Sequence, residues 1–449
     1  MPVAGRVPWF VVALAAAAAW GPRPSEGAEP STPPPSGPAF TIPKLDNAPG
    51  KTPGAPNKGR LGIYQVQTAS PKYSYFVCVP KTYSEKNPAG LHVFFHGESG
   101  ANTAPAFELW SKHFLEPFNL IGINLAFDVP YEEEFSDSAG RAAVAAEAIR
   151  RTAADYKVVA GRGAIASFAN GGLVHEQLFA KMGRAIPFNH VSLYSSFHTQ
   201  PPPLVPPMSW FMSVGTSSWT MRQCNVGPAQ VRKAATLLAN AQRGGCADVY
   251  LKVYKGGHAM PDDDVRDAAD QFHRSDIAFA PFIYEGDFAD RQLLKIAQNA
   301  NRRDFAKASS ACDAIASGGK ADTALASGAA EIKALIDARI DAMIALVKEL
   351  ALPDAVLCAN YGAVFARQLA GHPKKAELDA ALAEARKAPG ARDAGAAFQQ
   401  FSGSIGTLFR GRELNPDALP LLVGAAKRTP DTALLGRMAR GYLELKDGF

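Results

Sequence analysis

The residues that could do chemistry gather around one short stretch. Residues 163–172 read Gly-Ala-Ile-Ala-Ser-Phe-Ala-Asn-Gly-Gly, a short apolar strand running into a helix through a turn of small residues. A nucleophilic serine can be presented on such a turn, in a G-x-S-x-G pattern, because small neighbours let the backbone bend sharply and the helix pack close. Here the serine position holds Ala169, whose methyl can neither ionise nor attack. Ser167 lies two residues upstream, on the same strand face but set back from the turn. Its simplest role is a small residue packed in the sheet.

A serine nucleophile needs a base to take its proton, an acid to orient that base, and donors for the oxyanion. His258 follows the last predicted strand, in Gly257-His258-Ala259-Met260-Pro261, and is the candidate base. Asp262, Asp263 and Asp264 just after it read as the first turn of a helix, where carboxylates complement the helix dipole. After the strand near residue 212 the chain reads Gly215-Thr216-Ser217-Ser218-Trp219, and no Asp or Glu occurs from position 177 to 247.

The run Phe168-Ala169-Asn170-Gly171-Gly172 resembles the Phe-Ser-Asn-Gly-Gly elbow of secreted α/β-hydrolase esterases, the group holding polyhydroxybutyrate depolymerases and feruloyl esterases. The resemblance implies a doubly wound, mostly parallel sheet. It implies an oxyanion hole from His96, Gly97 and Asn170, a remnant base at His258, and a triad acid in a Gly-Thr-x-Asp pattern after the strand near 212, where Ser218 stands instead. Two triad positions are thus replaced, Ala169 for the serine and Ser218 for the acid. Loss of a triad nucleophile costs on the order of a millionfold in turnover. The leading expectation is a pseudoenzyme that binds rather than cleaves, holding a small ester-like or anionic ligand. The rival is a live hydrolase using His258 with Ser167 or a water, and a third class is an interaction protein with a vestigial pocket.

Several elements must position these residues. Residues 63–67 and 73–79 alternate like two paired strands, and 91–95 form an apolar run ending at His96-Gly97. A helix is expected near 104–114, a strand at 120–126, a helix at 139–156 and another from the elbow to about 182. Strands are expected at 190–193, 210–214 and 251–254, an alternation that signals a parallel sheet. Trp210, Trp219 and Arg222 are expected near its mouth, where they could line a pocket, although packing is the commoner role of an aromatic there.

From about residue 285 strand signals give way to alanine-rich helices. Across 323–352, Ile332, Ile336, Ile340, Met343, Val347 and Leu350 recur at spacings of four and three, a stripe that must pack on another helix. Pro353 stops it, and further helices are expected at 378–387, 394–409, 416–427 and 431–445. A stack of helical hairpins resembling tetratricopeptide-like adaptors describes this part best. Its role is a protein-partner module or a packing appendage.

The length of 449 residues suggests two domains. Arg6 followed by an apolar run at 7–20 and Ser25-Glu26-Gly27 reads as a signal peptide over 1–28, too short to span a bilayer, and places the chain outside the cell or in a periplasm. A Pro/Gly-rich linker follows at 29–59, then the hydrolase-like domain at 60–284 and the helical domain at 285–449. A formal charge of +5 without a long basic run argues against nucleic acid as the main partner. No cofactor is implied, since the glycine pairs at 171–172 and 256–257 lack the G-x-x-x-x-G-K-[ST] pattern. His92, His96 and Glu98 lack the spacing of a metal cage, and the Glu132-Glu133-Glu134 loop reads as solvated surface. Of five cysteines, Cys224–Cys246 and Cys312–Cys358 are the expected disulfides, with Cys78 a buried free thiol.

Overall fold

The computed structural model describes residues 59–68, 73–97, 103–127, 137–169, 171–182, 188–196, 209–215, 248–254, 259–318 and 323–404, with short pieces between 409 and 443. The signal peptide, the linker, the acidic loop with Glu98, Asn170, Ser218, Trp219, Arg222, Cys224, Cys246, His258 and most of the last two expected helices lie outside the described residues.

Eight strands form one sheet: β1 (Gly62–Gln67), β2 (Tyr73–Val79), β3 (Ala89–Phe95), β4 (Leu120–Phe127), β5 (Val158–Phe168), β6 (His190–Tyr194), β7 (Ser209–Gly215) and β8 (Val249–Tyr254). Their order is β1-β2-β4-β3-β5-β6-β7-β8. β2 runs antiparallel to β1 and β4, and the other neighbours are parallel. All seven residues of β3 are buried, as a central strand covered on both faces requires.

Among the described residues, four helices cover the sheet. On one side α2 (Ser138–Asp155) and α3 (Gly171–Met182) pack together, α2 over β2 and β4 and α3 over β3 and β5. On the other, α1 (Thr103–Trp110) continues through a π turn at Ser111–Leu115 and meets α4 (Asp262–Phe279). Asp137 starts α2 by accepting from the Gly140 N–H at 2.8 Å. The sheet was legible in outline from apolar runs and glycines, with strand ends off by at most two residues except in β5, which begins at Val158, five residues before the stretch read as the elbow.

The register sets the site. Phe95 at the end of β3 pairs with Ser167 of β5, and Phe168 pairs with Tyr194 of β6, which pairs with Ser213 of β7. The C-terminal ends of β3, β5 and β6 therefore stand at one level, with Ala169 just above β5. Trp210 lies near the opposite end, level with Val191 and Ile165, and is fully buried. It is packing, the commoner of the two roles weighed for it, because it enters β7 near the N-terminal end.

Six helices follow: α5 (Arg291–Asn301), α6 (Phe305–Ser317), α7 (Thr323–Leu350), α8 (Ala355–Gln368), α9 (Lys375–Ala385) and α10 (Ala391–Ser404). Consecutive helices pack from α5 to α9, with α7 also on α9 and α8 on α10. The predicted stripe of α7, from Ile332 to Leu350, is completely buried. Two short strands, β9 (Phe409–Arg410) and β10 (Glu413–Leu414), correct the expectation that no strand follows residue 285 and that a helix reaches 409. Each is only two residues long, too short for a periodic signal.

This helical array seats on the sheet through buried polar contacts. Tyr361 of α8 donates its hydroxyl to Asp248 Oδ2 at 2.8 Å, and Gln271 of α4 donates to Asp248 Oδ1 at 2.7 Å. Arg339 of α7 donates to the Asp276 carbonyl at 2.7 Å, and Gln368 of α8 to the Ala278 carbonyl at 2.9 Å. Burial alone would raise the Asp276 carboxyl, but Arg162 and Arg339 outweigh it and hold it below the ordinary carboxylate range.

Cys312 and Cys358 are both free and buried, which corrects the expected disulfide. Cys312 sits on α6, whereas Cys358 on α8 donates to the Val347 carbonyl of α7 at 3.3 Å. Helical proximity in sequence says nothing about which face a thiol takes. Cys78 is a buried thiol as expected, pushed up to about 11 by burial.

Candidate functional site

At the end of β5 the backbone turns through Ala169 with φ of 48°. A residue with a Cβ in this region costs about 1–2 kcal/mol over an ordinary conformation, and such strain persists where the surroundings impose it. Here they do. The Ala169 N–H donates to the Tyr194 carbonyl at 3.2 Å, and its own carbonyl accepts from the Gly172 N–H at 3.4 Å and from Ser196 Oγ at 2.8 Å. Ser195, at the end of the neighbouring β6, also has a positive φ, 43°.

Close packing explains the glycines around the turn. A Cβ on Gly97 would lie 2.7 Å from the Ala169 methyl, and one on Gly171 would lie 2.3 Å from the Phe95 carbonyl oxygen. Both are distances that real side chains do not occupy, so the loop after β3 and the start of α3 can meet the turn only as glycine. Of the small residues read from the sequence as elbow residues, Gly171 is thus required by contact. Ser167, Ala169 and Gly171 stand at alternate positions through this strand-to-helix turn, with a methyl at its tip.

Ser167 is completely buried below the turn. Its Oγ is 2.9 Å from Ser196 Oγ, and since Ser196 gives its proton to the Ala169 carbonyl, Ser167 is the donor. Its hydroxyl braces the turn and is not presented to a substrate. Ser196 was missed in the sequence because nothing local marks a serine that reaches across from the next strand.

The loop after β3 brings His96 and Gly97 to the turn as expected from their place at a strand end. The His96 ring is only 8% exposed, and its Nδ1–H donates to the Gly97 carbonyl at 2.7 Å. Burial, with Arg141 of α2 adding to it, lowers its pKa to about 4. The ring is neutral at pH 7, with its proton on Nδ1. Arg141, itself buried, donates to the His96 carbonyl at 3.4 Å and so ties the loop to α2.

Further along β3, His92 is wholly buried and stacked near Trp110 and Phe114, with burial lowering it to about 3. His190 of β6 is held between Ser209 Oγ and Ser192 Oγ, each at 2.7 Å. Both imidazoles are core residues. No cluster of three metal-ligating side chains occurs among the described residues.

Two carboxylates of α4 meet Lys252, whose place in β8 is level with Phe168. Asp264 is buried rather than displayed on the helix end, and its Oδ1 pairs with Lys252 Nζ at 2.8 Å. Lys252 of β8 lies in register with Ser213 and also pairs with Asp267 at 2.7 Å. Burial raises the Asp264 pKa against the pull of Lys252. Of the three aspartates read as helix-dipole partners, Asp262 fits that role on the surface, bonding Lys112 and His113 of the π turn. The sequence offered no signal to separate Asp264 from its neighbours, because only packing against β8 does so.

The strand order, the single antiparallel reversal at β2 and the strained turn after the fifth strand define an α/β-hydrolase fold. No family model matches the chain, and no curated protein does. Among solved structures it is similar to a Bacillus cereus carboxylesterase, at 15% identity over 45% of this chain and 93% of that one, with a TM-score of 0.33. A poly(3-hydroxybutyrate) depolymerase from Bordetella parapertussis aligns at 15% identity over 53% and 94%, TM-score 0.34. An S-formylglutathione hydrolase from Staphylococcus aureus aligns at 12% over 49% and 98%, TM-score 0.33.

Proposed function

We propose that this protein is an exported relative of carboxylic ester hydrolases that has lost acyl transfer and acts by binding. The observation that carries the reading is Ala169, a methyl group held at positive φ on the tip of the elbow. A strained turn kept without a nucleophile argues that its geometry still serves a ligand. His96, Gly97 and Asn170 would supply the N–H cradle for an ester-like or anionic group, His258 would remain as a binding imidazole, and Ser218 would mark the lost acid. Residues 1–28 would be removed on export, leaving the helical part available to a protein partner.

Turnover of p-nitrophenyl acetate and butyrate tests the reading. The parent should hydrolyse them no faster than buffer with bovine albumin, and Ala169→Ser should raise the rate measurably by restoring a nucleophile on an intact elbow. Parent turnover that disappears in His258→Ala would overturn the proposal in favour of a live hydrolase. Mass spectrometry of the exported protein should find residues 1–28 absent.

A further inference from the structure

A cavity of about 550 Å³ opens between α8, α9 and α10, away from the elbow. That size suits a small ligand. Its body is apolar, walled by Val356 and Ala363 of α8 and Leu382 of α9. Three observations set it apart from loose packing. First, Asn360 lines it while only 4% exposed, and its Nδ2 has no hydrogen-bond partner among the described residues. A buried amide without a partner costs about 1–3 kcal/mol, a cost that a ligand oxygen would remove.

Second, α10 contributes Gly395, where a Cβ would meet nothing within 4 Å. The helix therefore faces open space at a position where alanine, or any larger residue but proline, would favour helix more. By contrast Gly362 across the cavity is required by contact, since a Cβ there would lie 2.2 Å from Leu382. Third, the charged residues of the wall are Arg386, Arg392 and Asp379, two guanidiniums against one carboxylate. Asp379 is already engaged by Lys375, so the free charge of the wall is positive.

We infer that this cavity binds an aliphatic monocarboxylate, with its chain along Val356, Ala363 and Leu382 and its head group at Arg386 and Arg392. Guanidinium and carboxylate pair through two parallel hydrogen bonds. Asn360 bonds an oxygen of the same ligand.

Isothermal titration of the full chain with octanoate tests the assignment. Saturable one-site binding is expected, with 1-octanol at least about tenfold weaker because it lacks the charge. The exposed pair Arg386→Ala/Arg392→Ala should weaken octanoate by a similar factor. Gly395→Leu should weaken binding without lowering Tm, because it places a side chain in the cavity and removes a helix glycine. Ala169→Ser should bind as the parent does, which separates this cavity from the elbow. Absence of saturable binding by the parent, equal affinity for octanol, or unchanged binding in Gly395→Leu would each overturn the assignment. Should Gly395→Leu fail to fold, the arginine pair decides by itself.

Discussion

Replacing Gly171 by alanine puts a methyl where the elbow has no room. The new Cβ would sit 2.3 Å from the Phe95 carbonyl oxygen, 2.9 Å from its carbonyl carbon and 3.0 Å from the His96 carbonyl oxygen. All three are backbone atoms of a buried strand end, so no side chain can rotate away. The start of α3 must move off β3 by about 1 Å, loosening Val174 and Leu178, which are buried beneath it. Overpacking of this kind costs about 1–3 kcal/mol, and the upper end applies because backbone resists. Alanine returns up to about 1 kcal/mol of helix propensity, leaving a net loss of about 2 kcal/mol. Urea unfolding followed by the fluorescence of the buried Trp110 and Trp210 reads this directly. With a slope of about 2–3 kcal/mol per molar, the midpoint should fall by about 0.7–1 M. Gly395→Ala is the control, since its Cβ meets open space, and it should raise stability by about 0.5–1 kcal/mol. A Gly171→Ala midpoint at or above the parent's would refute the close approach of α3 to β3 on which the elbow rests.

Acid should weaken the fold through its buried imidazoles. Burial holds His92 near 3 and His96 near 4, below the ordinary 6.5, so between those values the unfolded chain takes up protons that the folded chain refuses. Their contribution is full above about pH 6.5 and is lost as pH falls toward 4 and 3, by about 3 kcal/mol for His96. Urea midpoints from pH 7.5 to 4.5 should fall accordingly, and a His92→Leu chain should show a shallower decline; an unchanged slope would contradict the buried neutral ring. Tyr361→Phe should cost about 1.5–3 kcal/mol by taking the hydroxyl from the buried Asp248 carboxylate. Thermal unfolding that stays at the parent temperature would mean that this bond does not hold α8 to the sheet.

Sequence alone determined the sheet in outline, because parallel strands buried on both faces read as bounded apolar runs, and it determined α7, because a stripe at spacings of four and three has one helical solution. It also located the turn at Ala169 and showed that no hydroxyl stands there, since both follow from residue type. Tertiary structure decided what each residue touches. Ser167 differs from an exposed serine only through Ser196, twenty-nine positions away in the chain and 2.9 Å away in space. Asp264 separates from Asp262 and Asp263 only because Lys252 lies across from it on β8. Cys312 and Cys358, both in the helical region and so read as a pair, are free and buried on different helices, and Cys358 is turned to the Val347 carbonyl of α7. The cavity beside Asn360 had no sequence signal, because a void is a property of three helices together. Periodicity reports which face of an element is apolar; it carries no information about which distant atom completes a hydrogen bond or leaves one unmade.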